Sequence, residues 1–190
     1  ESSLYAVKLR ALLRYRRMPD IWTRGLPWEI AEFKDLRPAL MPTVVGPDGV
    51  VRVDSTPIAL DLEKTHSGRS ILPEDPCQAF LACLIEDFAD EWLTKALFHY
   101  RFAFDADRRY GAVWVMDDGR PDLRDGPAFE TAVAGFMQRQ VDRMALVGAT
   151  PENAGLLETT YGRALAAMEH HVRQEHFLFG DRPSLADFAL

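Results

Sequence analysis

Apolar residues recur at helical spacing near the start of the chain and predict its first element. The apolar face of a helix over residues 3–17 is formed by Leu4, Val7, Ala11, Leu12 and Tyr15. Ser2 or Ser3 is placed to cap this helix, and Pro19 ends it. Residues 20–23, which follow the proline, have the composition of a short strand.

A β-hairpin is predicted next, because two β-branched runs flank a tight turn. The runs are residues 43–45 and 50–53, and the turn between them is Gly46-Pro47-Asp48-Gly49. A second helix is predicted to begin at Asp54-Ser55 and to end near His66. Either residue of the Asp-Ser pair is a good N-cap, because a short polar side chain satisfies the free N–H groups of a first turn.

The second half of the chain has helical patterns. Residues 67–75 are rich in turn formers and are expected to link the two halves. A long amphipathic helix is predicted over residues 76–104, with an apolar face formed by Cys77, Leu81, Leu84, Phe88, Trp92, Ala96 and Tyr100. Residues 105–126, rich in Asp and Arg, are expected to form an irregular excursion. Two more helices are predicted over residues 129–146 and 151–175.

Composition and charge restrict the class of protein. The chain has 190 residues and a formal net charge of −7, which argues against general binding to nucleic acid or to anionic membranes. No apolar run reaches the ~18 residues of a membrane-spanning helix. Cys77 and Cys83, the only cysteines, indicate neither a disulfide framework nor a zinc site, so a reducing cytosol is expected.

Two places in the first half suit a peptide ligand. A proline directly before a strand, as in Met41-Pro42, is expected in a special turn such as one with a cis bond. The N–H and C=O of Met41 would then face outward and pair with an extended peptide. Asp54 and Ser55 combine a carboxylate, a hydroxyl and helix-start N–H groups, which suits an amino-acid head group. Together, these two features describe a site for the tripeptide glutathione.

Three stretches of the chain resemble the glutathione S-transferase family. They are Ser3-Leu4-Tyr5-Ala6-Val7-Lys8-Leu9-Arg10, then Met41-Pro42 followed by Asp54-Ser55, and Gly180-Asp181-Arg182-Pro183-Ser184-Leu185-Ala186-Asp187-Phe188. In this order, and in a chain of this length, they are fairly specific for the family. In the last stretch, Ser184 and Asp187 have the spacing of a capping box, which is a folding element rather than a catalytic one.

The resemblance implies a fold class and a domain arrangement. Residues 1–66 would form an α/β thioredoxin-like, glutathione-binding domain without its first strand, and residues 67–75 would form a linker. Residues 76–190 would form an all-α domain, so the chain is expected to be truncated at both ends. The additional helix and the excursion depart from the common pattern of the family. A cytoplasmic homodimer is expected.

The resemblance also implies an activity and its residues. The protein is expected to conjugate glutathione, as co-substrate and without a metal, to a small hydrophobic electrophile. Ser3 is the expected catalytic hydroxyl that favours the thiolate, with the adjacent Ser2 and the weaker Tyr5 as alternatives. The residues expected to contact glutathione are Met41, Pro42, Asp54 and Ser55. Lys34 and Arg37 are candidates for pairing its glycine carboxylate.

Each assignment has a plainer alternative. Ser3 can be only an N-cap, and Asp54-Ser55 only the start of a helix. The alternative function is a non-catalytic binding or assembly module with the same fold. Trp92, His99 and Tyr100 are candidates for the electrophile pocket, but such a stripe can equally belong to the core.

A metal site is a further hypothesis. Carboxylates repeat at i and i+4 in the long helix, and a later helix carries more acids and histidines; the residues are Glu86, Asp87, Asp90, Glu91, Glu169, His170, His171, Glu175 and His176. No Glu-x-x-His pair occurs in either helix, so an exposed charged face is the expectation.

Overall fold

The computed structural model describes residues 2–190 and has an α/β part followed by an all-α part. The first part contains α1 (Leu4–Tyr15), β1 (Thr43–Val45), β2 (Val51–Val53) and α2 (Ser55–Thr65). The second part contains α3 (Pro76–Asp87), α4 (Thr94–Phe102), α5 (Asp105–Gly119), α6 (Pro127–Arg143), α7 (Ala154–Val172) and α8 (Leu185–Ala189). The predicted fold class, thioredoxin-like and then all-α, is confirmed.

The hairpin forms as predicted. Strands β1 and β2 are antiparallel, with Thr43 opposite Val53, and the turn is closed by a hydrogen bond from Gly49 N–H to Gly46 C=O at 2.9 Å. Gly49 has a φ of 74°, a conformation that glycine adopts without steric penalty. The predicted strand over residues 20–23 is wrong, because Ile21 is 94% exposed and has no neighbouring strand to pair with.

One hydrophobic core joins the first part of the chain to its last helix. Its buried members come from α1, α2, the 67–75 segment and α8, and they are Leu12, Ala59, Ile71 and Leu185. The N–H of Leu185 donates to the C=O of Ile71 at 2.8 Å. The predicted capping box starts α8, since the Asp187 carboxylate accepts from the N–H of Ser184 at 2.8 Å.

The long helix forms, and most of its predicted apolar face is exposed, although Ala96 of that face is buried. A π-helical turn, Phe88–Leu93, lies between α3 and α4 without interrupting the helix. Leu81 and Leu84 of that face are 43% and 51% exposed. The buried side chains of this stretch include Glu86 and Asp90, because a lysine on α1 neutralises them.

The predicted irregular excursion over residues 105–126 is wrong. Most of it is the regular helix α5, whose residues Ala112, Val115 and Met116 are buried against Val133 of α6. Two aspartates in its first turn suit the positive end of the helix dipole. Tertiary packing of this apolar face therefore outweighs the polar composition of the segment. The two later helices are confirmed as α6 and α7.

Candidate functional site

The start of α1 places two adjacent serines in different surroundings. Ser3 caps the helix, since its Oγ accepts a hydrogen bond from the N–H of Ala6 at 3.4 Å. Ser2 turns toward α5, where its N–H donates to Oδ2 of Asp118 at 3.1 Å and its hydroxyl to the same oxygen at 3.5 Å. Of the two hydroxyls, that of Ser3 lies at the positive end of the α1 dipole.

Tyr5, the third candidate hydroxyl, is held by the helical part. Its OH donates to the C=O of Asp90 at 3.1 Å and lies 3.4 Å from Oγ1 of Thr94. Burial raises the pKa of Tyr5, and the negative charge of Asp90 adds to that increase. The phenol therefore stays protonated near neutral pH, and its OH already donates a hydrogen bond within the protein.

The Met41–Pro42 peptide bond is cis, as predicted, and the Arg37–Pro38 bond is cis as well. Pro42 is buried, and its C=O accepts from the N–H of Asp54 at 3.1 Å, which ties the proline to the start of α2. Neither the N–H nor the C=O of Met41 has a hydrogen-bond partner among residues 2–190. These two groups are available to an extended peptide.

Asp54 and Ser55 are arranged as a helix start. Asp54 has a φ of 74°, and its Oδ1 accepts from the N–H of Thr56 at 3.3 Å. Ser55 is 1% exposed, and its Oγ has no hydrogen-bond partner in the described part of the chain. A buried hydroxyl without a partner is unfavourable by roughly 1–3 kcal/mol and is uncommon in folded proteins. Asp54 is thus engaged within the chain, whereas the hydrogen-bonding capacity of Ser55 is unused.

A buried ionic cluster, which the sequence analysis missed, lies directly beneath this helix start. It is defined here as Lys8, Thr56, Glu86 and Asp90. The Lys8 ammonium contacts the carboxylates of Glu86 and Asp90 and donates to Oγ1 of Thr56 at 3.1 Å. The Lys8 side chain is 3% exposed. The cluster fixes the start of α2 against α1 and the long helix.

The sequence carried a signal for this cluster. Lys8 lies four residues from both Leu4 and Leu12, and therefore on the apolar face of α1. A lysine on a buried face requires an acidic partner, and Glu86 and Asp90 are spaced to present two carboxylates on one side of a helix. Burial raises the pKa of Asp90, although its hydrogen bond and attraction to Lys8 oppose that shift.

The structure brings the predicted site residues together in two groups. Pro42 and Asp54 share a direct hydrogen bond. Ser3 belongs to a separate group at the start of α1, which is linked to α2 through Tyr5, Asp90 and Thr56. No hydrogen bond joins Ser3 itself to Met41, Asp54 or Ser55 among the described residues.

A cavity of about 540 Å³ opens beside the start of α1. Its wall is mainly apolar and aromatic, with residues from α1, α4, α5 and α7 that include Leu4, Leu97, Tyr100, Tyr110, Trp114 and Tyr161. The size and lining are typical of small-molecule sites. Leu4, which lines the cavity, follows Ser3 directly in the chain, whereas Ser3 itself is not among the lining residues.

One of the three candidates for the electrophile pocket lines this cavity. Tyr100 lines it, whereas Trp92 and His99 do not. Trp92 stacks on Phe88 with ring centroids 6.1 Å apart. His99 is 4% exposed, and its Nε2 lies 2.9 Å from Oε1 of Glu158, so this side chain holds α4 against α7.

The basic residues considered for the glycine carboxylate lie on the surface. Lys34 and Arg37 are both exposed, and the Arg37 guanidinium donates to two nearby backbone carbonyls, those of Lys34 at 3.1 Å and Leu36 at 2.6 Å. Within residues 2–190, neither side chain forms a hydrogen bond or an ion pair with Met41, Asp54 or Ser55.

The last features considered are metal ligands, cysteines and membrane-spanning helices. Within residues 2–190, no group of three or more His, Cys, Asp and Glu side chains is arranged to hold a metal ion. Both cysteines are unpaired, and burial raises the pKa of the Cys83 thiol. In the same residues, no helix is both long enough and apolar enough to cross a membrane.

No curated protein matches this chain. Residues 2–65 match the family model of the glutathione S-transferase N-terminal domain, which covers α1, the hairpin and α2.

Proposed function

We propose that this chain is a glutathione transferase, which joins the glutathione sulfur to a small hydrophobic electrophile. The match of residues 2–65 carries the proposal, because that segment contains every residue expected to contact glutathione. The proposed domains are residues 1–66 for glutathione and residues 76–190 for the electrophile, with 67–75 as the linker. The unpaired cysteines are compatible with the reducing cytosol that we propose as its location.

Backbone groups supply most of the proposed glutathione contacts. The free N–H and C=O of Met41 would pair with the cysteinyl residue as in a short β-ladder. The γ-glutamyl carboxylate would lie at the start of α2, where the N–H of Ser55 points outward from the helix and the dipole favours negative charge. The unused Ser55 hydroxyl is the side-chain group nearest to this position along the chain.

Ser3 would stabilise the reactive sulfur. A thiol with a pKa near ~8.5 is mostly protonated at neutral pH, so its thiolate must be favoured. The Ser3 hydroxyl can donate to the sulfur while the α1 dipole attracts its charge. The thiolate then forms a C–S bond with an electrophilic carbon in the cavity, and the leaving group departs with the electron pair of the broken bond.

A second candidate function is a non-catalytic module with the same fold. Two observations favour it: the Ser55 side chain is buried, and the Asp54 carboxylate already caps its own helix. If the Ser55 side chain stays buried and the Asp54 carboxylate stays bound to Thr56, the site would bind glutathione weakly or not at all.

Calorimetric titration with glutathione separates the two candidates. The matched control ligand is the tripeptide Glu-Cys-Gly with an ordinary α-linkage, which displaces the amino-acid head group. Binding of glutathione but not of the control, together with turnover of an activated aryl chloride, is expected for the transferase. Binding without turnover would favour the module, and absence of binding at about millimolar concentrations would overturn the glutathione site.

We also propose that the partner of this chain is a second copy. Four large apolar side chains on the long helix, Phe80, Leu81, Leu84 and Phe88, are each at least 37% exposed. A contiguous apolar surface of this kind is unfavourable in water and marks an interaction site. Isologous burial in a homodimer would cover it.

A further inference from the structure

A positive charge lies in the mainly apolar and aromatic wall of the cavity beside α1, which also contains Thr94 and Asp107. Arg101 follows Tyr100 on α4 and contributes its side chain to the lining. Its guanidinium carbon is 5.8 Å from the centroid of the Trp114 ring. A Cβ added at Gly111 of α5 would lie 2.8 Å from Cγ of Arg101, so the glycine provides the space in which the arginine stem runs.

This charge has no acidic partner within residues 2–190. The hydrogen bond of the Arg101 side chain goes to a neutral acceptor, the C=O of Ser2, at 3.3 Å. Asp107 also lines this cavity, but its carboxylate forms no ion pair with the Arg101 guanidinium. By contrast, the neighbouring arginines Arg108 and Arg109 are paired with Asp105 and Glu130.

The surroundings make an unpaired charge unfavourable. Burial lowers the pKa of Arg101, because the charged form loses hydration. An arginine nevertheless keeps its charge at neutral pH, since its ordinary pKa is about 12 or higher. A half-buried guanidinium without a counter-charge therefore gains most from an incoming anion, and its planar fork matches a carboxylate.

We propose that the cavity selects aromatic molecules that carry a carboxylate, with the carboxylate on Arg101 and the ring against the aromatic wall. The wall offers two tilted pairs, Tyr100 with Tyr161 at 5.5 Å between centroids and Tyr110 with Trp114 at 6.3 Å. The volume of about 540 Å³ accommodates a bicyclic ring system. This inference rests on the proposed function, since it names the class of electrophile that the transferase site would accept.

The position of Arg101 connects this preference to the reaction site. Its guanidinium reaches the C=O of Ser2, one residue before Ser3. A carboxylate held there lies close to the start of α1, and the attached ring extends toward the rest of the cavity. Arg101 is thus a specificity-determining residue, and it has no role in activating the thiol.

A matched pair of ligands tests the proposal without glutathione. Calorimetric titration of the whole chain with 2-naphthoate and with 2-naphthamide compares a carboxylate with a neutral group of nearly the same shape. The carboxylate is expected to bind about tenfold more tightly, as a charge-assisted hydrogen bond predicts. Equal affinity of the two ligands for the wild-type chain would overturn the proposal, whatever the behaviour of any variant.

Two substitutions of Arg101 refine the test. Arg101→Gln is expected to abolish the preference for naphthoate, and Arg101→Lys to retain part of it. Arg173→Gln is the control. Arg173 is exposed, pairs with Glu169 at a distance of 2.6 Å, and does not line the cavity. Persistence of the full preference in Arg101→Gln would contradict the assignment.

The same preparations distinguish this proposal from the proposed function. Glutathione affinity is measured on the wild type and on Arg101→Gln, and it is expected to be equal in the two. Loss of naphthoate preference with glutathione binding intact overturns the carboxylate proposal alone. Naphthoate preference without any glutathione binding overturns the transferase and leaves an arginine-dependent site for aromatic carboxylates.

Discussion

The ammonium of Lys8 lies 2.5 Å from Oδ2 of Asp90, and it also contacts Glu86, although these two acids are 82 and 78 residues away from Lys8 in sequence. These side chains are all at least nine-tenths buried. Taking ions out of water is unfavourable, so such a cluster adds little net stability when complete. Its significance lies in what happens when one member is removed.

Lys8→Met is expected to destabilise the fold by about 3–5 kcal/mol, because two buried carboxylates lose their counter-charge. Urea unfolding followed by circular dichroism measures the change. Lys64→Met is the matched control: Lys64 is exposed and lies 3.6 Å from Asp61, so its loss should change the free energy of unfolding by less than about 1 kcal/mol. Similar effects of the two substitutions would show that the cluster has no special role.

The raised pKa of Asp90 predicts a pH dependence of stability. Burial lifts it above the ordinary 3.8, so the native state holds this proton more tightly than the unfolded chain does. The stabilisation from this group is therefore complete below about pH 4 and is lost as the pH rises through the native pKa. The difference in unfolding free energy between wild type and Asp90→Asn should fall from about pH 4 toward neutrality.

Asp48 provides a control of opposite sign. Its pKa is lowered from 3.8 to about 2 by a hydrogen bond from Arg52. Its contribution is present above about pH 4 and disappears as the pH falls toward 2, so the difference between wild type and Asp48→Asn should rise with pH in that range. A difference for Asp90→Asn that also rises with pH would contradict the burial of its carboxyl group.

Local signals explain which elements the sequence predicts correctly. The hairpin and the capping box of Ser184 and Asp187 depend on residues within a few positions of each other. The helix over Asp105–Gly119 was not predicted, because its apolar face is stabilised by packing against another helix, which includes Val133. A composition rich in Asp and Arg carries no information about such a partner.

In the candidate site, too, features set by neighbouring residues are predicted from the sequence, whereas features set by the packing of separate helices are not. Ser3 as an N-cap and the cis bond before Pro42 follow from neighbouring residues, and both are present. The cluster around Lys8 and the position of Arg101 in the cavity depend on how separate helices pack. Even so, a lysine on an apolar helix face and two carboxylates at i and i+4 were visible, and pairing them would have indicated the buried contact.

Substitution in the exposed apolar surface of α3 tests the proposed homodimer. Leu84→Glu places a charge in a surface that the partner would bury, so the dimer should dissociate to a monomer. Light scattering after size-exclusion chromatography gives the molar mass. Leu156→Glu is the control, since Leu156 is 59% exposed on α7 and Leu84 is 51% exposed on α3. A wild-type monomer, or equal dissociation in both variants, would contradict the proposed interface.

The last prediction separates the two possible roles of Ser3. Removal of the hydroxyl takes one hydrogen bond from the proposed thiolate, so the turnover number should fall about 10- to 100-fold while glutathione affinity stays nearly constant. The pH–rate profile should move to higher pH, since the thiol pKa returns toward ~8.5. Ser2→Ala is the neighbouring control, because that hydroxyl is directed to Asp118.

Two replacements are needed because Ser3 also caps α1. Ser3→Ala should destabilise the protein by about 1 kcal/mol, whereas Ser3→Gly, an acceptable cap, should change stability by only a few tenths. Both variants lack the hydroxyl, so a catalytic role requires equal loss of turnover in both. If activity instead follows stability, with Ser3→Gly close to wild type, Ser3 acts as a cap and the activating group lies elsewhere.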